Sequence, residues 1–257
     1  MSRPDTEPYF HFVEERRIQM NKMTIRLNFG MVRNGLCVLI LGLLVISCAF
    51  GTDRVKLYDP LTYKPEQQEG TNTAIASSVE VKPMEGDLIL LALKRIRDNR
   101  PDISRIGAKK NTYGINTGNV DVEESVVFVD LFTKNLINCF ESAGYKTMAM
   151  REYDTISSLD KEKVKGLIET EIRNFWVEFM PGMFVVDAAS NVVFEVRLYD
   201  PAGNKEIWSE TFRGTGKVSG MAVTRSMFER SINIAYAEAT RQLRSALADE
   251  KTRRIFK

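Results

Sequence analysis

An apolar run near the amino terminus decides which part of this 257-residue chain can fold as a domain. Residues 35–48 read GLCVLILGLLVISC and follow three basic residues, Lys22, Arg26 and Arg33. A basic flank, an apolar stretch of about a dozen residues and a small-residue exit are typical of a secretory signal peptide, whereas a membrane-spanning helix needs about 20 apolar residues. We therefore predict that residues 1–47 are a leader that takes no part in the fold.

The last four residues of this run, Val-Ile-Ser-Cys at positions 45–48, resemble the lipobox of bacterial lipoproteins. The resemblance implies that Cys48 receives a diacylglyceryl thioether and that cleavage before it exposes a new, acylated amino terminus. Ala49 and Phe50 follow, and neither is the aspartate that marks inner-membrane retention in enteric-type bacteria. The resemblance therefore favours an outer-membrane lipoprotein that faces the periplasm, with the inner membrane as the weaker alternative.

Two interpretations of residues 1–19 stay open. This segment is mixed and polar, and Met20 and Met23 follow it directly. Residues 14–17, Glu-Glu-Arg-Arg, can be encoded by a purine run that resembles a ribosome-binding site, which favours a misassigned start and translation from Met20 or Met23. The alternative is an unusually long basic region of the leader. Either way the segment is left out of the fold.

Removal of the leader leaves a chain with little catalytic equipment. Six of the 36 basic and four of the 34 acidic residues lie in residues 1–47, so the exported part is neutral, which does not favour nucleic-acid binding. The single histidine, His11, is also removed, and with it Ser-His-Asp and Cys-His machinery and the commonest zinc and iron ligands. We expect no catalytic residue, no metal and no cofactor, although a carboxylate-pair hydrolase stays formally open.

Cysteine usage points the same way. Cys37 lies in the leader and Cys48 is committed to lipid, so one thiol, Cys139, remains and no internal disulfide can form. Cys139 lies at helical spacing beside Leu136 and Phe140, and we predict that it is a buried small hydrophobe rather than a nucleophile.

The hydrophobic pattern predicts a lipidated tether over residues 48–83, with a short strand at 55–58, and a single α+β domain over residues 84–257. Strands are predicted where apolar residues alternate or form a solid block, and two helices where they recur every three or four positions. The strands are expected at 88–93, 145–151, 164–179, 188–199 and 205–218, and the helices at 122–143 and 227–249. This order predicts a mixed, largely antiparallel sheet covered by the two helices.

Local signals refine these elements. Asp121 with Glu124, and Ser226 with Glu229, have the spacing of capping boxes at the two helix starts. Gly144 is placed as a left-handed C-cap of the first helix. Residues 98–120 are rich in Gly, Asn and Pro and are expected to be a connection, with at most one strand before the first helix. The glycines at 214, 216 and 220 lack dinucleotide spacing and are expected to relax an edge strand.

Residues 55–249 resemble the YajG-type family of bacterial envelope lipoproteins. The resemblance is carried by the following motifs: Asp98-Asn99-Arg100, Ile106-Gly107, Asn111-Thr-Tyr-Gly114, Ser142-Ala143-Gly144-Tyr145, Gly166 before Phe175-Trp176, and the strand Val192–Asp200. The apolar block before Asp98 departs from the phenylalanine-and-proline lead-in of that family. The resemblance implies an envelope lipoprotein of α+β fold, and it assigns no reaction.

A basic run is the strongest local charge anomaly of the exported chain. Its candidate anion- or partner-binding side chains are Arg95, Arg97, Arg100, Arg105, Lys109 and Lys110. Arginine forks match phosphate oxygens, so the run could hold lipid head groups or lipopolysaccharide. The alternative is a solvated loop in which Asp98 and Arg100 pair locally to hold a turn.

The second candidate surface is an apolar segment around a Pro-Gly break. Its candidate protein-contact side chains are Trp176, Phe179, Met180, Met183 and Phe184. Aromatic residues and methionine are enriched in partner-binding patches, although most such side chains pack into a core.

These observations favour a non-enzymatic, lipid-anchored protein of the cell envelope that acts as an interaction or assembly module. Its expected partners are the membrane, through the N-terminal lipid, and either an envelope protein or further copies of the same chain. The alternative is an auxiliary lipoprotein subunit of an envelope transport complex. A carboxylate-dependent enzyme comes last, and no nucleic-acid partner is expected.

Overall fold

A long strand of 18 residues forms the axis of the sheet in the computed structural model of the chain. The structure describes residues 51–65, 89–111, 113–123, 127–150, 160, 163–182, 185–201 and 205–255. Their strands are β1 Gly51–Val55, β2 Ile89–Leu93, β3 Arg97–Asp98, β4 Gly107–Lys110, β5 Asn116–Val122, β6 Tyr145–Ala149, β7 Val164–Pro181, β8 Val186–Tyr199 and β9 Glu206–Gly220. Their helices are α1 Phe128–Ser142, α2 Arg225–Ala248 and α3 Glu250–Arg254.

The central strand β7 is long enough to pair with four others. One edge of β7 pairs antiparallel with the whole of β8, from Leu167 to Pro181 of β7, and β8 pairs in turn with β9. The other edge receives three short parallel strands in succession, β2 near the start of β7, β3 in the middle and β4 near its end. Further out, β6 pairs with β2, and β5 and β1 extend the sheet beyond β4. The α+β class and the mixed sheet are therefore confirmed, and its longest pairings are antiparallel.

Two helices cover one face of this sheet. Aromatic side chains fill the layer between the helices and the sheet. There Phe132 of α1 lies 5.3 Å from Phe194 of β8 and 5.5 Å from Tyr236 of α2, measured between ring centroids. Phe128 meets Phe175 of β7 at 4.7 Å. Such pairs contribute about 0.5–1.5 kcal/mol each beyond the apolar area that they bury.

The helix α2 lies unusually close to β9 because two glycines face it. A Cβ atom on Gly214 would lie 1.9 Å from the Ala235 carbonyl oxygen, and one on Gly216 would lie 2.0 Å from the Ser231 carbonyl oxygen. The same crossing is bridged by the buried Ser190 hydroxyl of β8, which donates to the Ser231 carbonyl at 2.6 Å. The expectation that these glycines loosen an edge strand therefore misses their role, which is to admit a helix backbone.

The outer edge of β9 is protected by the same helix. The backbone N–H of Thr215 donates to Glu238 Oε2 at 2.7 Å, and that of Arg213 donates to Gln242 Oε1 at 3.3 Å. Side chains of α2 thus occupy donors that an edge strand would otherwise offer to another chain.

Residues 98–120 were expected to be a connection with at most one strand, and this prediction is wrong. They contain β4, which pairs parallel with β7, and most of β5, which pairs antiparallel with β4. The capping box at Asp121 is wrong for the same reason, because Asp121 lies inside β5 and its carboxylate accepts from the adjacent Val122 N–H at 2.7 Å. The first helix begins at Phe128 after the N-cap residue Val127, which makes no side-chain cap.

The second predicted capping box is also wrong. The helix α2 begins at Arg225 after Thr224, without a side-chain cap. Glu229 instead faces the start of the domain, where its carboxylate accepts from the Tyr58 hydroxyl at 2.7 Å. Asn233, one turn further along, accepts from the Tyr58 N–H at 2.8 Å and donates to the Lys56 carbonyl at 2.8 Å.

These contacts draw the first residues that the structure describes into the fold. The expected strand at residues 55–58 lies at Gly51–Val55 instead and pairs parallel with β5. Val55 is fully buried and Leu57 is 8% exposed, and both belong to the main hydrophobic core. Residues 51–57 therefore form part of the sheet layer rather than a free tether.

The remaining predictions have a mixed outcome. Gly144 has φ +94° directly after α1, as expected of a left-handed cap. The other predicted strands and the closing helix are confirmed to within a few residues. The leader, Cys48, Glu124, Met183 and Phe184 lie outside the described residues. Among the helices that the structure describes, none is long and apolar enough to cross a membrane.

Candidate functional site

The face of β7, β8 and β9 that points away from α1 and α2 is lined by polar side chains. Successive side chains of a strand alternate between faces, so the apolar partners of the helices leave a polar set on the other side. We call this surface the open face and define it by Glu169, Glu171, Arg173 and Trp176 of β7 with Asn191, Glu195 and Arg197 of β8. No helix among the described residues packs on these side chains.

A four-membered ion network occupies the middle of the open face. Glu171 and Glu195 lie directly opposite each other in the β7–β8 register, an arrangement of like charges that destabilises a sheet. Two arginines offset this repulsion. Arg197 Nη2 lies 2.6 Å from Glu195 Oε2 and 3.8 Å from Glu171 Oε2. Arg173 pairs with Glu195 and reaches Glu171 at 3.7 Å, so the network has no net charge.

The network holds one of its carboxylates, that of Glu195, in the ionised form. The hydrogen bond from Arg197 lowers the pKa of Glu195, against a smaller opposing effect of burial, so this carboxylate is held ionised. The same hydrogen bond raises the pKa of Arg197. A general acid of a glycoside hydrolase needs the opposite shift, because it must stay protonated near neutral pH. The geometry therefore provides paired, fixed charges that suit recognition rather than proton transfer.

Trp176 lies beside this network in a setting that suits contact with a partner. Its ring is half-buried, and the Arg105 guanidinium lies 5.6 Å from the ring centroid. Asn191 of β8 is its direct cross-strand neighbour, and Thr215 of β9 lies opposite Asn191. Asn191 and Thr215 are both exposed, so a row of polar side chains extends outward from the indole ring.

The side chains of the basic run differ in their burial and in their contacts. Arg100 is 7% exposed and makes a fork–fork pair with Asp98, with both bonds at 2.8 Å. Its guanidinium also donates to the carbonyls of Ile103 and Arg105 at 3.4 and 3.2 Å, and lies 4.2 Å from the centroid of the Phe128 ring. The alternative interpretation of the run, a local Asp98–Arg100 pair that holds a turn, is what the structure shows here.

Three further members of the run also have carboxylate partners. Arg105 Nε lies 2.6 Å from Asp102 Oδ2, and Lys110 Nζ lies 2.5 Å from Glu178 Oε1. Lys109 has a side chain only 3% exposed, and its ammonium reaches Asp53 Oδ2 of β1 at 2.9 Å. Arg95 and Arg97 are exposed. Binding of an anion by the run stays a prediction, and its exposed part is the pair Arg95 and Arg97.

The described residues of the apolar segment, Trp176, Phe179 and Met180, do not all lie on the same face of the sheet. Trp176 lies on the open face, whereas Phe179 points to the helices and its ring lies 6.5 Å from that of Phe228. Met180 is 52% exposed at the end of β7. The alternation of side chains along a strand separates Phe179 from its neighbours in the sequence.

Sequence reasoning did not find two parts of the surface. The Arg173–Glu195 and Arg197–Glu171 pairs join residues more than twenty positions apart, and only the β7–β8 register brings them together. Exposed apolar side chains at one end of the sheet were also missed. The signal that could have indicated them is a set of sequence segments without a charged residue. Tyr113 is 89% exposed and Met221 is 94% exposed.

Cys139 is confirmed as a buried hydrophobe, since it is fully buried in α1 and burial raises the pKa of its thiol to about 12. Within the part of the chain that the structure describes, no three His, Cys, Asp or Glu side chains come together as a metal-binding group.

The solved structures that are similar to this chain have low sequence identity to it. No protein-family model and no curated protein sequence matches it. Among solved structures, a neuraminyllactose-binding hemagglutinin homolog from Helicobacter pylori is 13% identical, with a TM-score of 0.46, and the match covers 78% of this chain and 96% of that one.

Two further matches are more distant. A Xanthomonas campestris protein of the family DUF330 is 15% identical, with a TM-score of 0.40 and coverage of 65% of this chain and 87% of that one. A lipoprotein from Neisseria meningitidis is 12% identical, with a TM-score of 0.30 and coverage of 64% and 99%. The resemblance to YajG-type lipoproteins stays a prediction.

Proposed function

We propose that this protein is a lipid-anchored protein of the bacterial envelope that faces the periplasm and binds another envelope protein through its open face, without catalysing a reaction. The observation that carries this proposal is the open face itself, a broad sheet surface of paired charges around a half-buried tryptophan. The leader and Cys48 support the location, and the residues after Cys48 favour the outer membrane.

The open face is large enough for a specific protein contact. The 14 residues of β8 span about 45 Å at ~3.3 Å per residue. Four strands at ~4.8 Å spacing, namely β9, β8, β7 and the short strands beside β7, make a surface about 15–19 Å wide. The product, about 700–850 Å², is close to the ~800 Å² that each partner buries in a standard interface.

The composition of the open face also suits a partner. Tryptophan and arginine are among the residues most enriched in interface hot spots. Arg173 lies three positions before Trp176 on β7, and Arg197 lies further along the same face, opposite Glu169. Both arginines already have carboxylate partners, so a partner that covers them does not leave an unpaired buried charge. This is the physical reason for preferring a protein contact to the binding of a free anion.

Site-specific photo-crosslinking tests the proposal. A photoreactive p-benzoylphenylalanine replaces Asn191 on the open face, and in a matched control it replaces Ser245, which is exposed on α2. We expect a defined envelope protein to be captured from position 191 and not from position 245. An adduct with a transporter component would assign the chain to the auxiliary-subunit alternative, and an adduct with itself would indicate a homo-oligomer.

The two tryptophans supply the second control. Trp176→Ala in the Asn191 probe protein should abolish the adduct, whereas Trp208→Ala should keep it, because Trp208 packs toward Phe212 on the helix side of the sheet. The proposal is overturned if positions 191 and 245 give the same adducts, or if Trp176→Ala leaves the pattern unchanged in a folded protein.

A further inference from the structure

The strand register places several loops at one end of the sheet. A single row of paired residues crosses it from β1 to β9: Gly51, Gly118, Lys109, Phe179, Ala188 and Val218. Just beyond this row lie the β4–β5 turn, the β7–β8 turn and the end of β9. The first residue of the described chain, Gly51, belongs to the same row and hence to the same end.

This end of the sheet carries large apolar side chains in solvent. The exposed fraction is 89% for Tyr113 and 62% for Ile115 in the β4–β5 turn, 52% for Met180 and 48% for Val185 beside the β7–β8 turn, and 94% for Met221 after β9. We call these five residues the rim. They come from three separate loops, so the cluster is a product of the fold and not of one apolar segment.

The segments that carry the rim contain no charged residue. Residues 111–117, 180–186 and 218–224 read NTYGINT, MPGMFVV and VSGMAVT. At the chain's 27% charged composition, about six charges would be expected in these 21 positions. The opposite end of the sheet differs, since Asp160 pairs there with Lys163 and the β8–β9 turn is flanked by Asp200, Lys205 and Glu206.

The position of the lipid-bearing residue indicates what covers the rim. Two residues, Ala49 and Phe50, lie between Cys48 and Gly51, and the three Cα–Cα steps of 3.8 Å that join them span at most about 11 Å. The acyl chains on Cys48 would hold that residue at the lipid head groups, so the end of the sheet that contains Gly51 cannot lie far from them. Exposed apolar patches free of charge, with tyrosine among them, are suited to this interfacial zone.

We propose that the rim docks on the lipid bilayer, so that Tyr113, Ile115, Met180, Val185 and Met221 enter the head-group region beside the anchored Cys48. This inference rests on the proposed lipid anchor. It also defines the orientation of the molecule on the membrane. The strands of the sheet then point away from the bilayer, and the open face is exposed to the periplasm, where a partner can reach it.

Depth measurements with a fluorescent probe test the docking. The lipidated protein is reconstituted in vesicles of phosphatidylethanolamine and phosphatidylglycerol, and an environment-sensitive nitrobenzoxadiazole label is attached to Tyr113→Cys or to Met221→Cys. The introduced thiol is the reactive one, because Cys139 is fully buried. Ile103→Cys and Val127→Cys serve as matched controls, since these apolar residues are 68% and 64% exposed but lie outside the rim.

We expect a blue shift of the emission, and quenching by spin-labelled lipids, at positions 113 and 221 and neither effect at positions 103 and 127. Ile115→Glu in the Met221→Cys protein should remove the quenching, and because Ile115 is a surface residue this change leaves the fold intact.

The outcomes separate the anchor from the docking. A protein that does not sediment with the vesicles contradicts the lipid anchor and hence the proposed function. A protein that sediments, but whose rim probes respond to spin-labelled lipid no more than the controls, overturns the docking alone. A blue shift without lipid quenching shows that a second copy of the chain covers the rim, and this also overturns the docking.

Discussion

Arg100 shows how a residue chosen for its charge is used for packing. Its guanidinium is almost fully buried, yet most of its donors meet an acceptor, namely the Asp98 carboxylate and two backbone carbonyls, and the Phe128 ring lies against it. A planar fork with five donors is required for this set, and the single ammonium of lysine does not supply it.

Arg100→Lys should therefore lower the free energy of unfolding by about 2 kcal/mol, because hydrogen bonds to a buried charged group are lost while the charge is kept. Urea titration measures the change. Arg97→Lys is the control, and since Arg97 is exposed it should change stability by less than ~0.5 kcal/mol. Equal effects of the two substitutions would contradict a structural role for Arg100.

At the scale of elements, the crossing of α2 over β9 depends on a missing side chain. Gly214→Ala puts a methyl group where the Ala235 carbonyl oxygen would be only 1.9 Å away, and neither backbone can move aside cheaply. We expect the free energy of unfolding to fall by about 3 kcal/mol, the upper part of the usual range for overpacking. Thermal or urea denaturation measures it.

Gly220→Ala is the matched control on the same strand. The nearest atom to a Cβ there is the Met227 sulfur at 3.1 Å, on a flexible side chain that can turn away. A small effect at position 220 and a large one at position 214 would locate the close approach. If both substitutions are tolerated equally, α2 does not lie against β9 as the structure describes.

The ion network of the open face should make stability depend on pH. The pKa of Glu195 is lowered in the folded state by Arg197 from its ordinary value of 4.5, so its contribution is complete above that value and is lost as the pH falls toward the folded-state pKa. The parent protein should therefore lose stability below about pH 4.5, the ordinary pKa of a glutamate.

Glu195→Gln should reduce stability at neutral pH and lose less of it on acidification, because the titrating carboxylate is gone. Urea titrations at neutral and acidic pH, compared between the variant and the parent, measure both effects. Glu206→Gln, an exposed carboxylate at the start of β9, should retain the parent's loss because the Glu195 network is intact. An unchanged pH dependence in Glu195→Gln would contradict the network.

At the scale of the whole molecule, attachment and folding should be separable. The described domain begins at Gly51, and its core contains no residue that precedes Val55. Cys48→Ala should therefore remove the protein from membranes while leaving the fold intact. Cell fractionation measures the first effect, and the circular dichroism spectrum with its melting temperature measures the second. A Cys48→Ala protein that stays in the membrane fraction would contradict the lipoprotein interpretation.

Elements with a strong local period were predictable from the sequence, and those held by distant partners were not. The alternation along β7 and β8 and the three-and-four spacing in α2 are local patterns, and they agree with the structure to within a few residues. In contrast, β4 and β5 are short and rich in Gly, Asn and Lys, so they have little strand propensity of their own. Strand β4 forms because β7 offers it an unpaired edge, and β5 forms because it pairs in turn with β4.

The helix caps illustrate the same limit at single residues. Glu229 has the right spacing for a capping box, but it faces Tyr58, which is 171 positions away in the chain. A rule based on local spacing, such as that of the capping box, does not include a hydrogen bond to a distant residue that forms only on folding. The sequence pattern likewise offered the whole basic run as one surface, and burial of Arg100 and Lys109 divides it.

By itself, the sequence predicted the leader, the lipobox and the removal of the only histidine with that leader, and it predicted correctly the α+β class and the burial of Cys139. Each of these predictions follows from local composition, counting or periodicity. Tertiary structure alone decided which charges pair, which glycines admit a helix and which loops share an end of the sheet. Strand register brings Glu195 to Glu171, and Tyr113 to the same end as Met221 and Gly51. Such juxtapositions involve residues that are far apart in the chain, and they arise only when the strands pair into the sheet.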